Sequence, residues 1–155
     1  MRVERLSLLL LALIAVVMGV NYVSASSRFL HANRAFQELT LELDSFTYRN
    51  PQSPVYYAIT IRNPANTEVE VIAIRTTLHS GLQLVGGGEI RAAEVLATDE
   101  STTYEVTARI SDVSLVERAE SEGPIKWIVR GEVLVRLDLD MTPVWIRFSA
   151  DAVSS

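Results

Sequence analysis

The sequence predicts an all-β domain, an antiparallel β-sandwich of about seven strands with one short helix, preceded by an N-terminal transmembrane helix. Three observations carry this. Residues 6–20, LSLLLLALIAVVMGV, form one uninterrupted apolar run apart from a single Ser. From Leu39 onward the hydrophobic pattern switches to period two, the repeat of a strand with one face buried. Clusters of Asn, Pro, Gly and Ser then punctuate that pattern at short intervals.

The anchor is assigned to residues 1–23, a juxtamembrane linker to 24–38 and the sandwich to 39–155. With Asn21, Tyr22 and Val23 set at the interface, the apolar run has the length of a short membrane helix, roughly 17 to 25 residues. Arg2 and Arg5 precede it while Arg28 and Arg34 follow, so local positive charge barely discriminates between orientations. A signal-type segment keeps its short basic end inside, which sets the N-terminus in the cytoplasm and the domain outside it. The same segment has the order of a cleavable signal, with Val23-Ser24-Ala25 as its small-residue end. The alternative is therefore a secreted ligand-binding module released by cleavage after Ala25. Ala12, Ala15 and Gly19 lie at i, i+3 and i+7, so they share a helix face and form a candidate helix-packing stripe. In the linker, the polar SASS of residues 24–27 precedes RFLHANRAF, whose spacing suits a helical continuation.

In the domain, Leu39, Leu41 and Leu43 alternate with polar residues, and Phe46 and Tyr48 resume the alternation one step out of phase. The slip predicts a bulge near Asp44-Ser45. Val55, Tyr57, Ile59 and Ile61 form the next run, between turns at Asn50-Pro51 and Asn63-Pro64. Residues 69–78 are β-branched and read as a strand, followed by a short one at 82–85 that the glycines Gly86, Gly87 and Gly88 end. Residues 90–96 suit a short edge strand. Tyr104, Val106, Ala108 and Ile110 alternate cleanly, and Ser111-Asp112 can cap a helix over residues 113–120 that stops before Gly123-Pro124. Residues 126–139 alternate at length, with Trp127, Val129, Gly131, Val133 and Val135 on one face. Gly131 is unusual inside such a strand and implies a bulge or a close neighbour. Val144, Ile146 and Phe148 make the last strand, whose other face carries Trp145 and Arg147.

Composition narrows the function more than it identifies it. The 155 residues carry a net charge of -5, and beyond residue 23 there are 12 basic against 18 acidic residues, scattered without a basic run, so nucleic acid is a poor partner. Cysteine is absent, which excludes disulfides, thiolate nucleophiles and thiolate metal sites. His31 and His79 are far from metal-ligand spacing, and no Gly-x-Ser-x-Gly elbow is present. The Gly86–Gly88 run lacks the Lys-Ser/Thr that follows a phosphate-binding loop. Asp138 with Asp140, and Asp99 with Glu100, lack a loop dense in oxygen ligands and read as solvated surface. Trp127 falls with the core, whereas Trp145 and Arg147 form the candidate surface contact.

The order of these features resembles the water-stress and hypersensitive-response domain of late-embryogenesis-abundant type proteins. The matching features are the Ile61-Arg62-Asn63-Pro64 corner, the Ser80-Gly81 turn and the approach from Ala97 to Ser101 into the strand at 104–110. The single helix and Val129-Arg130-Gly131-Glu132-Val133 follow in the same order. Ala65 stands where that family usually has a second Asn, and Asn66 comes one place later. The resemblance implies an immunoglobulin-like sandwich without catalytic residues, in a family linked to stress protection and having membrane-anchored relatives.

The expected protein is thus a non-catalytic one without cofactor or metal. It meets membrane lipid through its helix and serves as an accessory subunit of a larger membrane complex or in envelope stress protection.

Overall fold

The structure, a computed structural model, describes residues 2–137 and 142–152, and among these all side chains but those of residues 2–12, 28, 29 and 32. The chain divides into two compact units, Met1–Gln37 and Glu38–Ser155. In the first, α1 (Arg2–Glu38) is one helix of 37 residues, which the polar SASS segment does not interrupt. Its residues Leu13, Ile14, Val16, Val17, Met18 and Val20 are all exposed. Among the described residues no helix is long and apolar enough to cross a membrane. The most apolar part of the expected anchor, residues 6–12, lies outside the described side chains.

The second unit holds β1 (Thr40–Thr47), β2 (Val55–Arg62), β3 (Val69–Ser80), β4 (Gln83–Leu96), β5 (Ser101–Ile110), α2 (Val113–Glu122), β6 (Trp127–Arg136) and β7 (Val144–Ala152). All pairings are antiparallel, in the order β1-β2-β5-β4-β3-β6-β7, so the domain is an all-β seven-stranded sheet. It curls until the outer strands β1 and β7 approach each other, nearly closing a barrel. The phase slip in β1 is a register shift between Leu43 and Ser45. At the start of α2 the Asp112 carboxylate accepts from the Leu115 amide at 3.1 Å. That bond and, ahead of it, the one from the Ser114 hydroxyl hold the Asp112 carboxyl below the usual carboxylate range.

Period-two side chains from the two halves of the sheet meet inside. Val55, Tyr57, Ile59, Ile61, Val106 and Ala108 come from β2 and β5, and Val69, Val71, Ile74, Leu78, Val129, Val133 and Val135 from β3 and β6. Each fully buried Ile, Leu or Val contributes about 1.5–3 kcal/mol relative to exposure, so this interior supplies most of the driving force. At one end Trp127, 1% exposed, is met by Phe46 and Tyr48 of the β1 end at ring separations of 5.7 and 4.8 Å. A polar bridge also crosses the interior. The Tyr57 hydroxyl is hydrogen-bonded to Thr76 Oγ1, and Thr76 Oγ1 donates to the Gly88 carbonyl at 3.0 Å. Burial pushes the Tyr57 phenol up, so it stays protonated and able to donate.

Two strands expected at 82–85 and 90–96 are one strand. The glycines do not end it; β4 runs through all three. The reason is the crossing between the two halves, where β4 pairs with β5 only at Gly86↔Ile110 and Gly87↔Arg109. A Cβ at Gly86 would lie 2.2 Å from the Arg109 carbonyl oxygen, one at Gly87 2.5 Å from that of Thr76, and one at Gly88 2.8 Å from that of Thr107. Backbone therefore occupies the space on both sides of the tract, and only residues without a side chain fit. Beyond the crossing β4 and β5 separate, and Glu94 spans the gap by accepting from Thr102 Oγ1 at 3.2 Å and from the Tyr104 hydroxyl at 3.0 Å. Burial first, and then this carboxylate, raise the Tyr104 phenol.

The β2–β3 corner is organised by a fully buried Asn63. Its Nδ2 lies 2.8, 3.0 and 3.1 Å from the carbonyl oxygens of Thr67, Leu96 and Ala97, and its Oδ1 accepts from the Ala65 amide at 3.2 Å. Its backbone N–H donates to the Glu100 carbonyl at 2.9 Å, and its carbonyl accepts from the Asp99 amide at 2.7 Å. Ala65, where the resembled family usually has Asn, is itself buried against this corner.

Replacing Asn63 by Ala strips the donor from three carbonyls, two of them at the end of β4. Each buried unsatisfied group costs about 1–3 kcal/mol, so Asn63→Ala should lose about 3 kcal/mol or more in urea unfolding of the full chain. Asn63→Asp places a carboxyl among carbonyl oxygens, which favours its protonated form in the folded state. With the folded pKa raised, the stability of this variant should be highest in acid and fall as pH rises through that pKa, a trend opposite to that of a salt-bridged Asp. Flat pH dependence would contradict the assignment.

A close neighbour does stand over Gly131. A Cβ there would lie 2.1 Å from Phe148 Cε1, so the Phe148 ring fills the place of the missing side chain. Gly131→Val should destabilise by about 1–3 kcal/mol through overpacking, and a raised melting temperature would contradict this.

Candidate functional site

The cross-strand register of β4, β3, β6 and β7 arranges their outward residues in rows. One row reads Glu89, Arg75, Glu132, Arg147, with alternating charge across four strands. The next reads Gly87, Thr77, Arg130, Ser149, and a third contains His79, Ile128 and Asp151. On the other side of the charged row stand Ala73, Leu134 and Trp145. The strand period explains the placement. Inward positions of β3 and β6 are filled by the core, so every second residue must face out.

These rows line a shallow groove formed by Arg75, Thr77, His79, Arg130, Glu132, Arg147 and Ser149, together with Thr76, Gly131 and Phe148. Arg147 Nε donates to Glu132 Oε1 at 2.9 Å, and its side chain remains 84% exposed. Arg75 Nε stands 3.4 Å from Glu89 Oε2, and the Arg75 guanidinium lies over the Trp145 ring at 4.9 Å. Exposed pairs of this kind contribute about 0–1 kcal/mol, so they orient side chains more than they stabilise the fold. His79 Nε2 is 3.2 Å from Thr77 Oγ1, while His79 Nδ1 is shielded from solvent with no hydrogen-bond partner among the described residues.

The two surface residues singled out in the sequence, Trp145 and Arg147, thus belong to one face, one row apart. Trp145 is 36% exposed, with Arg75 over its ring. Sequence reading missed Arg75, Arg130, Glu132 and Ser149 as parts of that surface. Alternation put Arg130 and Glu132 on the outward face of their strand, but only the register joins them to β3 and β7. Of the helix stripe, Ala15 and Gly19 are exposed, a Cβ at Gly19 would meet nothing within 4 Å, and Ala12 lies outside the described side chains. Asp138 and Asp140 lie outside the described residues. Glu100, beside Asp99 in the turn, accepts from the Ala97 amide at 2.7 Å and so serves that turn. Among the described residues no group of three or more His, Asp and Glu is placed to hold a metal ion.

No family model matches the chain, and no curated protein matches it in sequence. Solved structures do resemble it. A protein from Arabidopsis thaliana, known in solution, is 16% identical over 74% of this chain and 77% of its own, with a TM-score of 0.51. That likeness shows the fold. A protein from Archaeoglobus fulgidus is 11% identical over 76% of this chain and 96% of its own, with a TM-score of 0.47. A protein described as a candidate late embryogenesis abundant protein is 15% identical over 87% of this chain and 88% of its own, with a TM-score of 0.40.

The contact between Arg75 and Trp145 can be isolated by a double-mutant cycle. Arg75→Ala, Trp145→Ala and the double variant should reveal a coupling of about 0.5–1 kcal/mol in urea unfolding, the size of an exposed cation–π pair. Strict additivity would mean that the ring does not hold the guanidinium.

Proposed function

We propose that this chain is a non-catalytic, single-pass membrane protein whose β domain acts as an accessory or interaction subunit of a membrane complex, or in envelope stress protection. Its N-terminus is cytoplasmic and its domain extracytoplasmic in this reading. The observation that carries the proposal is the surface of α1. Leu13, Val16, Val17, Met18 and Val20 are each more than half exposed, and residues 13–20 include no polar side chain. A helical stretch that is apolar all round is suited to lipid. The sequence extends that character back to Leu8, and to Leu6 but for Ser7.

We read the β domain as an immunoglobulin-like sandwich related to the water-stress and hypersensitive-response domains. The support is the Asn63-Pro64 corner, the Ser80-Gly81 turn and the glycine-bearing strand at Gly131, all features the resemblance rests on. A domain of this kind, with no metal cluster among its described residues and no Gly-x-Ser-x-Gly elbow in its sequence, is suited to binding rather than to reaction.

The test is alkaline carbonate extraction of membranes from cells making the full chain, with intact-mass measurement of the product. The full-length mass should remain in the pellet, and external protease should digest the domain in intact cells. Deletion of residues 1–37 should release a soluble monomer whose circular dichroism is mainly β. A full chain recovered in the carbonate supernatant, or a mass beginning at Ser26, would overturn the anchor.

A further inference from the structure

The outward groove of β3, β6 and β7 brings three arginines together on a domain that is otherwise acidic. Arg130 has Thr77 and Ser149 as its cross-strand neighbours, with Arg75 and Arg147 at two diagonals and His79 and Asp151 at the other two. Diagonal positions of this kind are about 7–8 Å apart, within the reach of long side chains to a common point. Arg130 makes no ion pair with a described residue. Arg147 meets Glu132 and Arg75 meets Glu89, each through Nε. Ser149 makes no side-chain hydrogen bond with a described residue and lines the same groove, as does His79 with its unpartnered, solvent-shielded Nδ1.

We propose that this groove is a binding site for a phosphate-type oxyanion, with Arg130 at its centre, Arg75 and Arg147 flanking it and Ser149 donating from the side. The chemistry favours phosphate over a carboxylate. Three guanidiniums arriving from three strands match a group with at least three acceptor oxygens, whereas a carboxylate offers two. The ligand must also outweigh Glu132, which already offers Arg147 a carboxylate, and a doubly charged anion does so. This goes beyond the proposed role and does not depend on the anchor. The phosphate can be free or belong to a lipid headgroup.

The experiment uses the full chain in a neutral detergent, with inorganic phosphate as the probe and ionic strength held constant with chloride. Saturable broadening of the phosphorus resonance is expected with the wild type. Arg130→Ala should weaken the affinity about tenfold, the equivalent of one charge-assisted hydrogen bond, and Glu132→Gln should strengthen it by removing the resident competitor. Both positions face outward, so the melting temperatures of the variants serve as the check that each is folded. No saturable broadening with the wild type, or identical affinity in the wild type and both variants, would overturn the site. The same titration in nanodiscs of phosphatidylcholine, with and without phosphatidic acid, separates the sources. Phosphate displaced by phosphatidic acid supports the site and names the headgroup, and unchanged binding supports it with free phosphate as the ligand.

Discussion

A fully buried primary amide must find a partner for every polar atom, and Asn63 does so by tying together three stretches of chain that share no strand. Its Nδ2 reaches Thr67 in its own turn and Leu96 and Ala97 at the end of β4, while its backbone binds Asp99 and Glu100 ahead of β5. Those stretches include the connection by which the chain leaves the β3 side of the domain and joins β2. The departure of β5 from β4 and its arrival beside β2 are therefore fixed at one residue. Pro64 supports this by removing a donor from the corner and by biasing Asn63 toward extended backbone. Asp99, at φ +60, adopts the left-handed conformation that completes the turn.

With the crossing fixed at one end, the other end has to let β4 and β5 come close and then part. Gly86, Gly87 and Gly88 meet that demand, since a Cβ at any of them would strike a carbonyl oxygen of a neighbouring strand. Past this seam the two strands no longer pair, and Glu94, Thr102 and Tyr104 join them through side chains alone. The result is a sheet with two facing halves and an interior filled from both. The polar link from Tyr57 to Thr76 to the Gly88 carbonyl then sets the spacing of the halves as well as their register.

Much of this was legible because it depends on period. The interior faces of β2, β5 and β6, the slip in β1, the cap of α2, the burial of Trp127 and the neighbour over Gly131 all follow from which side of a strand a residue occupies. What the sequence could not display is what lies across from a given residue. Three glycines in a row read as the end of a strand, because nothing in the sequence places the Arg109 and Thr76 carbonyls against them. Asn63 read as turn punctuation, since its burial depends on Leu96 and Ala97, more than thirty residues away. The groove was half visible. Trp145 and Arg147 stood out by being polar or aromatic on an outward face, but Arg75 belonged to a strand assigned on its β-branched content, and its place beside them depends on the β3–β6–β7 register.

Net charge bears on the groove less than it first suggests. Beyond residue 23 the chain carries six more acidic than basic residues, which argues against a long polyanion lying over the whole surface. Exposed charges, however, are screened beyond about 8 Å at physiological salt, so a small anion responds to the side chains it touches and little to the rest of the domain. Among the residues that line the groove Arg75, Arg130 and Arg147 outnumber Glu132, while Glu89 and Asp151 stand at its edges. Glu132 then has two consequences of opposite sign. It orients Arg147 through the Nε contact, which lowers the cost of ordering that side chain, and it repels any incoming anion. An acidic residue in that position restricts the groove to ligands of higher charge than its own, a filter that a site built of arginines alone would lack.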